Sequence, residues 1–327
     1  MLRERYSIDT IDHEIPDSMF LSAVSFEERC LNSSSLLSGN YLTQEFILIR
    51  YRGVDKENKR NTHQDKLIKN LESHLGRKER GIVIYCDKDD PVDGSVKLKE
   101  ALANSDLCEG RITIDITTFT KQYLLVLMNL IKEAYPLASI RFLYTPGYYK
   151  ISPSHPEKSA LSWGVKEIKP IPGFLGNSVP WRDDVLVLFL GYEGERAFQI
   201  MQKFEPKKTI AVLPNPPSYP NADHPTRTLN SRILNRSRDD VEIREANALD
   251  PESTRDLLLE LSRKYEVEEK CNLIISPLCT KIQVLGILLF FWTKKDTKAQ
   301  VVYASPFWYN EKKYTSGFPN YVLEYVI

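Results

Sequence analysis

The chain echoes itself at one long, constant interval. Asp90-Pro91 recurs 160 positions later as Asp250-Pro251, Thr120-Lys121 as Thr280-Lys281, Pro146 as Pro306 and Tyr149 as Tyr309. No gap is needed to bring these pairs into line. A chain repeated at that period folds as two similar halves, and at 327 residues each half is large enough to bury its own core. The expected division is residues 1–150 and 185–327, joined over 151–184 by a connector holding Pro153, Pro156, Pro170, Pro172 and Pro180.

Within the first half, apolar runs over Met19–Val24, Glu45–Tyr51, Gly81–Tyr85, Arg111–Ile116 and Ser139–Tyr144 read as strands. Helical patterns start after Glu27, inside Arg52–Arg80, at Pro91 and at Lys121. Asp90 is a capping residue and Pro91 is preorganised for a first turn. The second half repeats the order, with strands at Val185–Leu190, Lys208–Leu213, Val241–Arg244, Asn272–Ser276 and Ala299–Ala304. Its helices are expected over Glu195–Lys203, Pro251–Tyr265 and Lys281–Phe291. Strands that are apolar almost throughout and alternate with helices predict parallel sheets covered on both faces. The expected class is α/β, with two Rossmann-like parallel-sheet domains related by internal duplication.

Apolar content of 42%, charged content of 27% and zero formal net charge describe a globular chain with no generic grip on nucleic acid or membrane. Cys30, Cys86, Cys108, Cys271 and Cys279 are odd in number and widely spaced, which reads as reduced thiols of a cytoplasmic protein. His13, His63, His74, His155 and His224 fall singly, so no metal site is expected. The charged start MLRERYSIDT lacks the apolar core of a signal peptide, and Val284–Trp292 is too short to span a bilayer and suits a buried helix. No dinucleotide fingerprint, phosphate-binding P-loop, nucleophile elbow or zinc-protease motif occurs, and no cofactor is expected.

Ligands of doubly wound sheets bind beyond the carboxyl ends of the strands. After the first strand of each half come Ser25-Phe26-Glu27-Glu28-Arg29 and Tyr192-Glu193-Gly194-Glu195-Arg196. The repeated Glu-Arg fits either an internal ion pair at the helix start or arginines (Arg29, Arg196) oriented by Glu28 and Glu195 toward an anion. After the fourth strand, Asp115-Ile116-Thr117-Thr118-Phe119-Thr120-Lys121 sets a hydroxyl-rich turn and a cation at a helix N-terminus, where free N–H groups suit a phosphate. One threonine there is explained by capping alone; three and a lysine are not. The second copy keeps Thr280-Lys281. After the last strands, Tyr148 and Trp308 belong to aromatic clusters, with Lys150 and Lys312 nearby, that fit either base stacking or interface packing. Basic excursions at Arg52–Arg80 and at Arg227, Arg232, Arg236 and Arg238 occupy corresponding places and suggest a ligand.

Asp115-x-Thr117-x-x-x-Lys121 fits the pattern [DN]-x-[ST]-x-x-x-[RK] and resembles the motif of CARF domains, Rossmann-like sensors of cyclic oligoadenylates in CRISPR-linked defence. In the second half Ile275 and Pro277 stand where the acid and hydroxyl belong. The resemblance implies a nucleotide-type ligand seated across two such domains, here within one chain; the departures at Ile275 and Pro277 make the first half the expected ligand side. With both halves consuming the chain, the effector activity is expected from a separate protein partner. Two other functions fit the same residues. One is a metal-independent phosphodiesterase of the ring-nuclease kind, using Glu28, Glu195 and Asp115 as acid–base groups. The other is a non-catalytic protein-interaction subunit.

Overall fold

The computed structural model describes residues 5–12, 15–53, 57–105, 110–150, 161–218, 222–311 and 314–327, with the side chains of 5–7 and 77–79 left aside. His13, Cys108, Pro153, His155, Pro156, Pro220 and Lys312 therefore lie outside the described residues. The chain divides into two compact units, residues 1–149 with 315–327, and residues 150–314.

In the first unit the strands are β1 (Arg5–Ile8), β2 (Met19–Val24), β3 (Thr43–Tyr51), β4 (Leu75–Cys86), β5 (Arg111–Asp115) and β6 (Ser139–Tyr144), closed by β15 (Val322–Val326). The sheet order is β1-β15-β6-β5-β2-β3-β4, in which β2 to β6 run parallel and β15 and β1 are antiparallel additions. In the second unit β7 (Ser162–Trp163) and β8 (Glu167–Pro170) precede β9 (Asp184–Phe189), β10 (Lys208–Pro214), β11 (Val241–Ala246), β12 (Asn272–Pro277), β13 (Gln300–Ser305) and β14 (Trp308–Tyr309). Its main sheet runs β11-β10-β9-β12-β13-β8. Ranked along the chain, the parallel strands of each unit follow 3-2-1-4-5, the order of a Rossmann-like fold. Both units thus have a switch point, between β2 and β5 and between β9 and β12.

Two placements depart from the expected division. The C-terminal strand leaves the second half and pairs with β6 of the first sheet. Burial of Val322, Leu323 and Tyr325 drives that pairing, and Arg141 of β6 reaches Glu324 at 3.4 Å. Within the expected connector, β8 joins the second sheet beside β13.

The repeated dipeptides are helix caps. Asp90 and Asp250 accept hydrogen bonds from first-turn amides of helices Pro91–Ala103 and Pro251–Leu261, each with proline at its start. Thr120 and Thr280 cap helices Lys121–Ala134 and Lys281–Thr293 in the same way. In each unit these two helices pack together through a glycine. A Cβ on Gly94 would strike the ring of Tyr123, and one on Gly286 would strike the carbonyl of Pro251 and come within 2.5 Å of Thr254. Lys281–Thr293 is apolar all round and buried through Phe290, as a core helix must be.

The four described cysteines are buried free thiols. No described helix is long and apolar enough to cross a membrane.

Gly286→Ala should lower the chemical-denaturation midpoint by an amount equal to about 1–3 kcal/mol, the usual cost of overpacking. Gly39→Ala, where nothing lies within 4 Å of the added carbon, should leave it within about 0.5 kcal/mol.

Candidate functional site

At the switch point of the first unit, the chain leaves β2 through Ser25 and enters a short 3₁₀ turn, Glu28–Leu31, followed by the helical turn Asn32–Ser35. Arg29 is 1% exposed. Its Nε donates to Glu27 at 2.8 Å and its Nη1 donates to the Thr145 carbonyl, beyond β6, at 3.0 Å. Burial is the largest influence and works against that charge, but Glu27 together with Tyr149 and Tyr144 outweighs it and holds the guanidinium well above the usual arginine value. The second unit repeats the device. Arg196 pairs with Glu193 at 2.9 Å and donates to the Ala304 carbonyl beyond β13. It too is held above its ordinary value, burial opposing and Glu193 raising it.

Both arginines therefore form the internal ion pair. Their partners are Glu27 and Glu193, while Glu28 and Glu195 are exposed. The i,i+3 spacing of Glu193 and Arg196 is the sequence signal for that partnership.

The acid and first hydroxyl of the Asp115-to-Lys121 motif are equally committed. Asp115 accepts from the Ser33 hydroxyl at 2.7 Å and from the Thr117 amide at 2.9 Å. Thr117 Oγ1 accepts the Thr145 amide at 3.0 Å, and Thr118 Oγ1 donates to the Ala23 carbonyl at 2.6 Å. Together these bonds tie the loops after β2, β5 and β6 to one another. Burial pushes the Asp115 carboxyl up, against the pull of Thr117 and Ser33. Asp115 is thus buried and doubly hydrogen-bonded among the loops it joins. Thr120 and Lys121 remain partly exposed at the helix start, and Ser25 lies just beneath the surface.

Several residues join the site without any local signal. His63 Nδ1 lies 2.8 Å from the Ser25 carbonyl, which can only accept, so this nitrogen carries the proton. Cys30 Sγ lies 3.7 Å from the same nitrogen. Burial pushes the Cys30 thiol well up from the ordinary cysteine value, which disfavours the thiolate. Asn32 donates to Thr145 Oγ1 and to the Tyr321 carbonyl, both at 3.1 Å.

The basic excursions divide. Arg60 lies 5.4 Å over the Phe26 ring and so reaches the loop after β2. In the second unit, packing accounts for most of the charge: Arg232 and Arg236 lie over Phe198, and Arg227 pairs with Asp223 at 2.9 Å.

The second switch point is built from Thr280, which donates to the Ala248 carbonyl at 2.6 Å, with Lys281 partly exposed beside it. Ser276 Oγ, Ser305 Oγ and Arg196 Nε are buried without hydrogen-bond partners. The rims carry Tyr148 and Trp308, both exposed. No group of three or more metal-ligating side chains is found among the described residues.

No protein-family model matches the chain, and no curated protein sequence matches it. Among solved structures, it is similar to a Type III CRISPR defence DNA nuclease activated by cyclic oligoadenylate. The likeness is one of fold. The TM-score is 0.53 at 7% identity, over 88% of this chain and 65% of that nuclease, so the chain spans less than two thirds of the nuclease's length. The cytoplasmic domain of a prokaryotic cation chloride cotransporter also aligns, at 10% identity over 89% of this chain and 96% of that one, but its TM-score of 0.26 carries no argument. At the level of fold, that likeness agrees with the Rossmann-like reading of the sequence.

Arg29→Ala should destabilise the first unit by about 3–5 kcal/mol, because it leaves Glu27 charged and buried alone; denaturant unfolding measures the loss. The folded Asp115 retains its proton at pH values where the unfolded residue has lost it. Its contribution to stability therefore falls as pH rises from about 4, the unfolded Asp value, through the raised folded value. Asp115→Asn should flatten that decline in a pH series of unfolding midpoints.

Proposed function

We propose that this chain is a nucleotide sensor of a prokaryotic defence system, binding an anionic ligand of the cyclic-oligonucleotide kind at the carboxyl edge of its sheets. The observation that carries the reading is the turn at Thr117–Lys121. A rigid buried scaffold of Asp115, Thr117 and Thr145 presents Thr120, Lys121 and the first amides of a helix at a topological switch point. A helix N-terminus with a lysine suits a phosphate, and a fixed cradle recognises it without a large ordering cost. Arg60 brings further positive charge to the same edge. The fold likeness to a cyclic-oligoadenylate-activated nuclease supports the class of ligand.

The chain is then a receiver, and a partner protein supplies the response. Lys121 and the helix amides act as phosphate donors, with Thr120 both capping and facing the ligand. Lys281 and Thr280 are the corresponding residues at the second unit's own edge, which lacks the acid and hydroxyl of the first. Arg29, Arg196, Asp115 and Thr117 contribute by holding the loops in place.

A thermal-shift screen across linear and cyclic oligonucleotides tests this. A cyclic oligoadenylate at about 100 times its dissociation constant should stabilise the protein by about 2.7 kcal/mol, a rise of several degrees. Lys121→Ala should abolish most of the shift. No shift with any oligonucleotide would sink the proposal, and turnover beyond one equivalent of ligand would convert the sensor into an enzyme.

A further inference from the structure

Where β9, β12 and β13 of the second unit begin, the segments leading into them wall an open cavity of about 200 Å³. Each of the three segments contributes a cation: Arg182 before β9, Lys270 before β12 and Lys298 before β13. These strands run parallel, so the cavity lies at their amino edge, the opposite end of the unit's sheet from Thr280 and Lys281.

The protein itself ties the three walls together. Asn272, buried at the start of β12, accepts the Val179 amide at 2.8 Å and donates to the Val179 carbonyl at 3.0 Å, which fixes the loop that carries Arg182. Asn177 N donates to the Lys298 carbonyl at 3.0 Å. Gly176 permits that approach, since a Cβ there would stand 2.5 Å from the same carbonyl oxygen. Glu266 accepts from the Lys298 amide at 2.9 Å and from Thr297 Oγ1 at 2.8 Å, joining the segments before β12 and β13. Lys270 is held at φ +57°, a left-handed conformation that residues other than glycine adopt at a cost, and Cys271 N closes its turn on the Tyr265 carbonyl at 2.7 Å.

The charges around this cavity do not balance. Its lining holds Arg182, Lys270, Lys294 and Lys298 against two acids, Glu266 and Asp296. Both acids are already engaged, Glu266 in the wall and Asp296 with Lys294 at 3.4 Å. Among the described residues, the side chains of Arg182, Lys270 and Lys298 have no hydrogen-bond or ion-pair partner. Water satisfies a single exposed lysine, but three like charges set around one fixed cavity repel one another, and an anion relieves that repulsion. Size and lining restrict the anion. The volume is smaller than the about 300–1,000 Å³ of sites for drug-sized ligands, and no described aromatic ring lines it to receive a nucleobase. An arginine fork beside two ammonium groups matches a compact oxyanion.

We propose that this cavity binds a small, multiply charged oxyanion of the phosphate or pyrophosphate class, held by Arg182, Lys270 and Lys298. The site is separate from the carboxyl edge and does not depend on the sensor reading.

Isothermal titration of the full chain with sodium pyrophosphate and with sodium phosphate, at constant ionic strength and with chloride as the control anion, tests it. One equivalent should bind, and the tighter of the two anions names the occupant. Arg182→Gln and Lys270→Gln should each weaken binding about tenfold, the loss of one charge-assisted hydrogen bond. Lys298→Gln, on the third segment, gives the same comparison should either of these variants fail to keep the wild-type unfolding midpoint. Lys295→Gln removes an exposed charge close in sequence but outside the cavity and should change nothing. The proposal is overturned if neither anion binds at millimolar concentration, if chloride competes equally, or if the cavity variants bind as the wild type does. It is also overturned if Lys121→Ala abolishes the binding, because the anion then sits at the edge of the first unit.

Discussion

The buried arginine at each switch point is the interaction on which the rest of the site depends. A loop leaving the first strand of a Rossmann-like sheet and a loop leaving the last strand must both be fixed before anything between them can recognise a ligand. Arg29 does this by bonding Glu27 on one side and the Thr145 carbonyl on the other. Arg196 does the same between Glu193 and Ala304. A planar guanidinium with several donors can satisfy a carboxylate and a carbonyl at once, which a lysine ammonium does less rigidly. The charge is tolerated in the interior because its counter-ion is buried with it.

Around the first clamp, the motif acid and hydroxyl extend the same logic. Asp115 and Thr117 draw Ser33, Thr145 and the turn before helix Lys121–Ala134 into one hydrogen-bonded block. Lys121 can then project from a fixed base. In the second unit Ile275 and Pro277 cannot build that block, and the buried Ser276 and Ser305 hydroxyls are left unpaired. Two sheets of the same strand order thus differ at their carboxyl edges.

What the sequence makes legible is what short-range chemistry determines. Asp90-Pro91, Thr120-Lys121 and their counterparts can be read as helix starts because a cap is a contact between residues two or three apart. The apolar strands give the parallel sheets for the same reason: burial on both faces is written locally. The return of Val322–Val326 to the first sheet is a pairing between distant segments, and no periodicity encodes it. The partners of Asp115 are similarly hidden, since Ser33 arrives from another loop across the switch point. Trp163 shares a face with Trp308 only because a two-residue strand within the proline-rich stretch pairs there. The arginine ion pairs are half legible: Glu and Arg stand close in sequence, but which glutamate turns inward depends on the turn geometry.

Hydrogen–deuterium exchange of the full chain, with and without a cyclic oligoadenylate, addresses the central claim most directly. Slowed exchange concentrated in the amides of Ser25–Arg29 and Thr117–Tyr123, which line the first switch point, is the predicted result. Ligand-induced protection confined to other segments, or no change at saturating ligand, would contradict the account.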